Sequence, residues 1–390
     1  MKVAYISTPH FADCDIPLVG ELQKKLDFFY FLKVSESSKR LTLIKIDSLK
    51  KSGGVYPAFD FPELGYLSAD IDLSKTYIVN MPGKHYWSLC NLLAIFRLVC
   101  FILRLKANIV HLTWPPRYGE FFTYFLRKRT IITVHDPLPH SSEDTWFNRF
   151  HRNVCFRLLD SFILLNEIQK EQFVETYNMQ RKHVSLSRLS VYTNLRNVKP
   201  KYTDLSNYVL FFGGISSHKG VEYLCEAMDE VCKKHPDVKL VVAGKGNLYF
   251  DINKYVIYNN GNLVLFNRYI EDSELVGLIR NALFVVCPYI DATQSGVVMS
   301  AFALNKPVVA TNVGALPTMV KDGQYGMIVP PKDASALASA IDTLIERPQK
   351  VEAMMANIER DYSDGECSWS VIAKGMIDIY KEKFLSKARC

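Results

Sequence analysis

Apolar residues along this chain follow two alternating rhythms. Short runs rich in Val, Ile, Leu and Phe occur at residues 3–7, 41–46, 77–80, 109–113, 131–135, 162–166 and 184–187. They resume at 209–213, 240–243, 264–267, 284–288, 308–311 and 327–330. Several are continuous rather than alternating, which predicts strands covered on both faces, as in parallel sheets. Between the runs the spacing turns helical. Val221, Leu224, Cys225, Met228, Val231 and Cys232 share one helix face, as do Leu275, Leu278, Ile279 and Ala282. Asp333 is placed to cap a helix carrying Leu337, Ala338, Ile341, Leu344 and Ile345. Strands alternating with helices predict an α/β, doubly wound architecture.

A polar stretch at 194–206, containing Pro200, interrupts the pattern. It divides the chain into two doubly wound domains, 1–198 and 199–365. A last amphipathic helix follows, with Trp369, Ile372, Ala373, Met376, Ile377 and Tyr380 on its inner face.

The 390 residues are 48% apolar and 22% charged, ordinary values for a globular protein that exclude wholesale disorder. The net charge of +7 suits an anionic small molecule or an anionic membrane surface. Without a dense Lys/Arg block or interleaved aromatics, no nucleic-acid partner is expected. The nine cysteines include no C-x-x-C pair, and a strand opens the chain, so a reducing, cytoplasmic location is expected. Segment 87–105 is apolar but carries Asn91, Arg97 and Arg104. An arginine inside a spanning helix costs about 2.5–3.5 kcal/mol, so the segment reads as a helix packed on a sheet. Its basic edge and Leu/Phe side chains also suit peripheral contact with the inner membrane surface.

Two loops that follow strands carry chemistry. Phe212-Gly213-Gly214-Ile215-Ser216-Ser217-His218-Lys219-Gly220 leads into a helix, placing free N–H groups and a lysine where a phosphate could bind. It does not satisfy the P-loop spacing, and a glycine turn with a solvated lysine explains it about equally well. Pro288-Tyr289-Ile290-Asp291-Ala292-Thr293-Gln294-Ser295-Gly296 likewise leads into a helix, with Gln294, Ser295 and Gly296 at its N-terminus and Asp291 as a hydroxyl acceptor. An N-cap and turn account for Ser295 alone.

The order F-x-G-(x)5-K-G, V-V-A-G-K-G-N at 241–247, N-R-Y-I at 267–270, P-Y-(x)4-Q-S-G-V and K-P-V-V-A-T-N-V-G-A-L-P at 306–317 resembles the retaining glycosyltransferases of family 4, the glycosyl transferases group 1. The resemblance spans about 209–345. It is looser in the first half, through Asn108-Ile109-Val110-His111 and Ile132-Thr133-Val134-His135-Asp136-Pro137.

The resemblance implies a GT-B fold, two Rossmann-like domains facing across a cleft, with residues 366–390 returning to the first domain. It implies a nucleoside-diphosphate sugar donor of UDP or GDP type, no metal and no other cofactor. Lys219 and His135 match catalytic positions, the lysine on the diphosphate and the histidine near the reacting sugar. Gly213, Gly214, Arg268, Tyr269, Ile270, Asp291, Gln294, Ser295, Gly296, Val297 and Ser300 fall on the donor side. His10, Asp13 and Asp15, with Glu143, fall on the acceptor side. The acceptor expected is a hydroxyl of a glycan, and the basic balance with the 87–106 helix suggests that it is lipid-linked, as in bacterial polysaccharide assembly.

The pattern departs in places. The arginine usual after the first glycine of the phosphate loop is Gly214. The paired glutamates fall at Ala292 and Ser300, with Asp291 one residue early, and the acid after G-A-L-P is Thr318. Losing one charge-stabilising donor can cost about 10²–10³ in rate; Arg268, His218 and Arg188 are candidate replacements. A donor-binding or partner-binding module without turnover therefore stands as the alternative, and a sugar-nucleotide epimerase as a third reading. Asp13-Cys14-Asp15 invites a metal, but its place after the first strand favours a polar loop. His135, Asp136 and His140 lie in a proline-rich turn with no further ligand evident. Phe121, Phe122 and Phe125 read as core.

Overall fold

The computed structural model describes residues 1–85, 87–115, 121–137, 146–180, 182–201 and 203–388. The chain forms two compact units. The first comprises Met1–Leu189 and Trp369–Cys390, and the second Ser190–Ser368. The division lies upstream of the 198/199 boundary read from the sequence. Val191 and Leu195 are buried in the second unit's core, and Arg196 Nε donates to the Ala303 carbonyl at 2.9 Å. The polar composition of this stretch conceals those anchors.

The first unit contains β1 (Lys2–Ser7), β2 (Asp27–Ser35), β3 (Arg40–Leu41), β4 (Ile44–Lys45), β5 (Gly54–Pro57), β6 (Thr76–Met81), β7 (Ile109–Leu112), β8 (Thr130–Val134), β9 (Ser161–Leu164) and β10 (His183–Leu186). Its sheet runs β10-β9-β8-β7-β1-β2-β6-β5 and is parallel except for the β5–β6 pair. Strands β7, β8 and β9 are buried at every residue, which explains their unbroken apolar runs. Three elements differ from the sequence reading. The edge strand β5, paired antiparallel with β6, was not expected. β2, a central strand, was not expected. Its apolar run follows the helix Ala12–Gln23 after only a short polar link, with no strong turn signal between them. The expected strand at 41–46 is instead the isolated β3–β4 hairpin, turned by Thr42 in the left-handed region.

Helix Trp369–Ala388 packs in the first unit against Ala12–Gln23. Trp369, Ile372, Ala373, Met376 and Tyr380 enter the same core as Val3, Tyr5 and Ile109. The Tyr380 hydroxyl pairs with His111 Nδ1 at 2.7 Å, and His111 Nε2 pairs with Thr133 Oγ1 at 2.8 Å. Burial pushes His111 down to about 3, so its ring is neutral and serves as a hydrogen-bonding strut.

The second unit contains β11 (Tyr208–Phe212), β12 (Lys239–Ala243), β13 (Leu263–Phe266), β14 (Val285–Cys287), β15 (Val308–Thr311) and β16 (Gly326–Val329). Their order, β13-β12-β11-β14-β15-β16, is wholly parallel. The chain reverses direction of growth between β11 and β14. In such sheets that switch point, at the carboxyl ends of the strands, is where ligands bind. The eight described cysteines are free thiols. Among the described residues no helix is long and apolar enough to cross a membrane.

Replacing Tyr380 by Phe strands a polar atom of His111 in the core. A loss of about 1–3 kcal/mol is expected, read as a lowered urea midpoint with an unchanged slope.

Candidate functional site

The loops leaving β11, β12, β13 and β14 are joined through their backbones. Gly213 N–H donates to the Ala243 carbonyl and Gly244 N–H to that of Phe266, both at 3.0 Å. Ile215 N–H donates to Lys245 at 3.1 Å, and Gly246 N–H reaches Asn267 Oδ1 at 3.0 Å. Across the switch point, the His218 carbonyl accepts from Ile290 N–H at 2.9 Å and Asp291 N–H at 3.4 Å. Gly220 makes that approach feasible. Its φ is +64°, and a Cβ there would lie 2.1 Å from the Pro288 carbonyl oxygen. Gly214 is under neither constraint: a Cβ there would meet only the Lys245 carbonyl, at 3.9 Å.

Helix Val221–Lys234 starts directly after Gly220, and helix Gly296–Ala303 after Ser295. Both N-termini lie at the carboxyl edge of the sheet, so their open N–H groups and dipoles favour an anion there. Lys219 Nζ sits 3.9 Å from the centroid of the Tyr289 ring. This cation–π contact orients the ammonium, while desolvation lowers its pKa. Tyr289 is buried, and its carbonyl accepts from Thr311 Oγ1 at 2.6 Å. Ser295 caps its helix by accepting from Val298 N–H at 3.4 Å.

The other residues expected on the donor side divide by their present partners. Gly214, Tyr269 and Asp291 are exposed, and Gly213, Ile270, Gln294 and Val297 are partly exposed. Gly296 is open to solvent, with the Tyr192 hydroxyl 2.9 Å from where its Cβ would stand. Ser300 is buried and donates to the Gly296 carbonyl at 2.9 Å; Thr318 donates to Ala315 at 2.8 Å. Arg268 forms a two-pronged pair with Glu274 at 2.6 and 2.8 Å, so its charge is already partnered. Tyr192 and Glu274 were not singled out in the sequence, since one lies just before the polar boundary and the other on a helix. The Pro-Tyr pair after β14 was the available signal for Tyr289.

In the first unit, His135 follows β8 and stacks on Phe11 at 4.0 Å and 13°; Phe11 lies 5.9 Å from Trp114. Phe11 and Trp114 come soon after β1 and β7, so three aromatic rings gather at that sheet's own switch point. Desolvation pushes His135 down to about 4, leaving a neutral imidazole at pH 7. Gln169 Nε2 holds the His135 carbonyl at 3.0 Å.

His10 is exposed and Asp13 partly buried. The segment expected as a polar loop is instead the first turn of Ala12–Gln23, where its carboxylates offset the helix dipole. Asp15 points into the core, taking hydrogen bonds from Ser7 Oγ and, at 2.6 Å, from the Tyr5 hydroxyl. Burial raises it to about 7. His140 and Glu143 lie outside the described residues, as do the side chains of Phe121 and Phe122. Phe125, read as core, is exposed. Among the described residues no three His, Cys, Asp or Glu side chains gather as a metal site.

Residues 206–347 match the family model described as glycosyl transferases group 1. A glycosyltransferase of unassigned specificity from Methanocaldococcus jannaschii is 31% identical over 180 residues, covering 46% of this chain and 45% of its own. Phosphatidyl-myo-inositol mannosyltransferase of Mycobacterium leprae is 29% identical over 188 residues, covering 46% and 48%. The chain thus spans about half the length of these relatives. The crystal structure of Anabaena HepE in complex with UDP superposes with a TM-score of 0.67 at 16% identity, covering 98% of this chain and 100% of that one. The fold is GT-B, built from two Rossmann-like domains.

Two predictions follow from the geometry. Gly220→Ala is expected to lose at least about 1–2 kcal/mol from its left-handed backbone alone, whereas Gly214→Ala should leave the urea midpoint nearly unchanged. Asp15 binds its proton more tightly folded than unfolded, so its contribution is full below about pH 4 and is lost as pH rises through about 7. Unfolding curves across that window should show Asp15→Asn gaining stability relative to wild type as pH rises.

Proposed function

We propose that the protein is a retaining, metal-independent glycosyltransferase that moves a sugar from a nucleoside-diphosphate donor to a hydroxyl of a lipid-linked glycan. The observation that carries this reading is the convergence, at one switch point, of two helix N-termini and the oriented, partly desolvated Lys219. A diphosphate meets complementary charge there without a metal ion. As the glycosidic bond breaks, negative charge grows on the departing phosphate, and Lys219 with the Gly296 and Val297 amides stabilises it. Tyr269 and Ile270 line the nucleobase, and Asp291 takes a hydroxyl of the donor. The first unit holds the acceptor. His135, neutral at working pH, orients the donor sugar or the attacking hydroxyl. The leaving phosphate takes the acceptor proton, and product keeps the donor's anomeric configuration. The mannosyltransferase relative, whose name specifies a phosphatidylinositol acceptor, supports the lipid-linked class.

The second reading is a GT-B module that binds donor without turning it over. Gly214 supplies no cation, Arg268 is paired with Glu274, and the Ser300 and Thr318 hydroxyls donate to their own backbone. A panel of UDP- and GDP-sugars with a membrane lipid extract separates the two. Nucleotide release from one donor, insensitive to EDTA and reduced about 10²–10³-fold by Lys219→Ala, is the expected result. Donor binding without release by wild type, with release appearing in Gly214→Arg, would establish the module reading. Release without any acceptor would identify an epimerase.

A further inference from the structure

Helix Leu89–Leu105 buries Ala94, Ile95, Leu98, Val99 and Ile102 against the first unit's sheet. Its opposite side is not polar. Leu89 is 73% exposed, Phe96 51% and Leu103 49%, with Leu93 on the same face. A surface helix normally turns charged residues to water, and one apolar on both sides normally has a second partner. The adjoining segment Phe121–Arg129 contributes Leu126 to the same core and sets Phe125, 78% exposed, beside Arg127 and Lys128. Helix Trp146–Leu158, anchored there by Cys155 and Phe156, presents Trp146 stacked on Phe150 at 5.7 Å, both exposed. All three elements cover one face of one sheet.

We infer that this face docks on an anionic lipid bilayer, its Leu, Phe and Trp side chains entering the headgroup region and its Lys and Arg side chains meeting lipid phosphates. Charge selects this occupant. Residues 73–159 hold twelve Lys/Arg and four Asp/Glu, so their excess of eight exceeds the whole chain's +7. Residues 73–119 include no acidic side chain at all. Beyond this window the helix Glu167–Tyr177 carries exposed Glu167, Glu171 and Glu175, which mark the edge of the patch. A second copy would set this excess against itself, and like charges facing one another oppose association. Nucleic acid would satisfy the cations but offers nothing to the aliphatic Leu89, Leu93 and Leu103. An apolar stripe flanked by cations and aromatic rings is the chemistry of a helix lying in the bilayer interface.

The arginines do not act alike. Arg97 donates to the Gly53 carbonyl at 2.6 Å and braces the helix. Arg104, in the last turn, and exposed Lys106 and Lys128 are the cations assigned to lipid.

This inference deepens the lipid-linked acceptor reading, but its test needs no donor, so its failure and a failure of turnover are separable. The full chain is floated with vesicles of phosphatidylcholine alone or mixed with phosphatidylglycerol, at low and high salt. Binding should be confined to the phosphatidylglycerol vesicles and fall as salt rises. Phe96→Ser with Phe125→Ser, or Arg104→Glu with Lys128→Glu, should each weaken binding by about tenfold or more. These side chains are exposed, so circular dichroism and thermal midpoints should match wild type. Val256→Ser, an exposed site in the second unit, should bind as wild type. Equal binding to both vesicles, no binding at low salt, or unaltered binding by both double variants would overturn the inference. So would a dimer in light scattering that Phe96→Ser dissolves.

Discussion

The carboxyl edge of the second unit's sheet depends on how closely two backbone segments can approach. The turn before helix Val221–Lys234 and the segment after β14 lie nearly in contact, with the Pro288 carbonyl where a side chain on residue 220 would begin. That approach permits the hydrogen bonds from 290 and 291 to His218, and it brings Lys219 over Tyr289. It also places two helix N-termini at one switch point. A side chain at 220 would push the segments apart and separate Lys219 from Tyr289 and the two helix N-termini from each other.

Around that contact, charge is sparingly used. Arg268 is paired with Glu274, and Lys219 is held by a ring rather than by a carboxylate. An ammonium partly desolvated over an aromatic face gains more from an incoming phosphate than one already bound to a carboxylate. The first unit treats its buried polar groups differently. Asp15, Tyr5, Ser7 and Thr113 form one linked set, and His111, Tyr380 and Thr133 another. These join β1, β7 and β8 to helices at both ends of the chain. The His135–Phe11 stack instead stands at the strand ends, partly open.

Much of this was legible in the residues. Unbroken apolar runs marked β7, β8, β11 and β15 because a strand buried on both faces has no polar side to show. The glycine-rich turn and the Gln294-Ser295-Gly296 segment were visible because open helix ends require small or capping residues after a strand. β2 escaped because it follows a helix without a strong turn signal, and Asp15 was misjudged because a carboxylate two residues from another reads as exposed. Its burial follows from tyrosine and serine donors on β1, which local sequence does not bring into view.

The sequence by itself determined the alternation of parallel strands and helices, the two Rossmann-like domains and the glycine-rich turn that follows β11. These rest on periodicity and on backbone conformations that particular residues permit, both local properties. Tertiary structure decided which charges remain available. It pairs Arg268 with Glu274, turns Ser300 back on its own helix, neutralises His135 by burial and leaves Leu89, Phe96 and Phe125 facing outward. Partners distant in sequence, and the desolvation they impose, set those states, so no spacing rule along the chain could have fixed them.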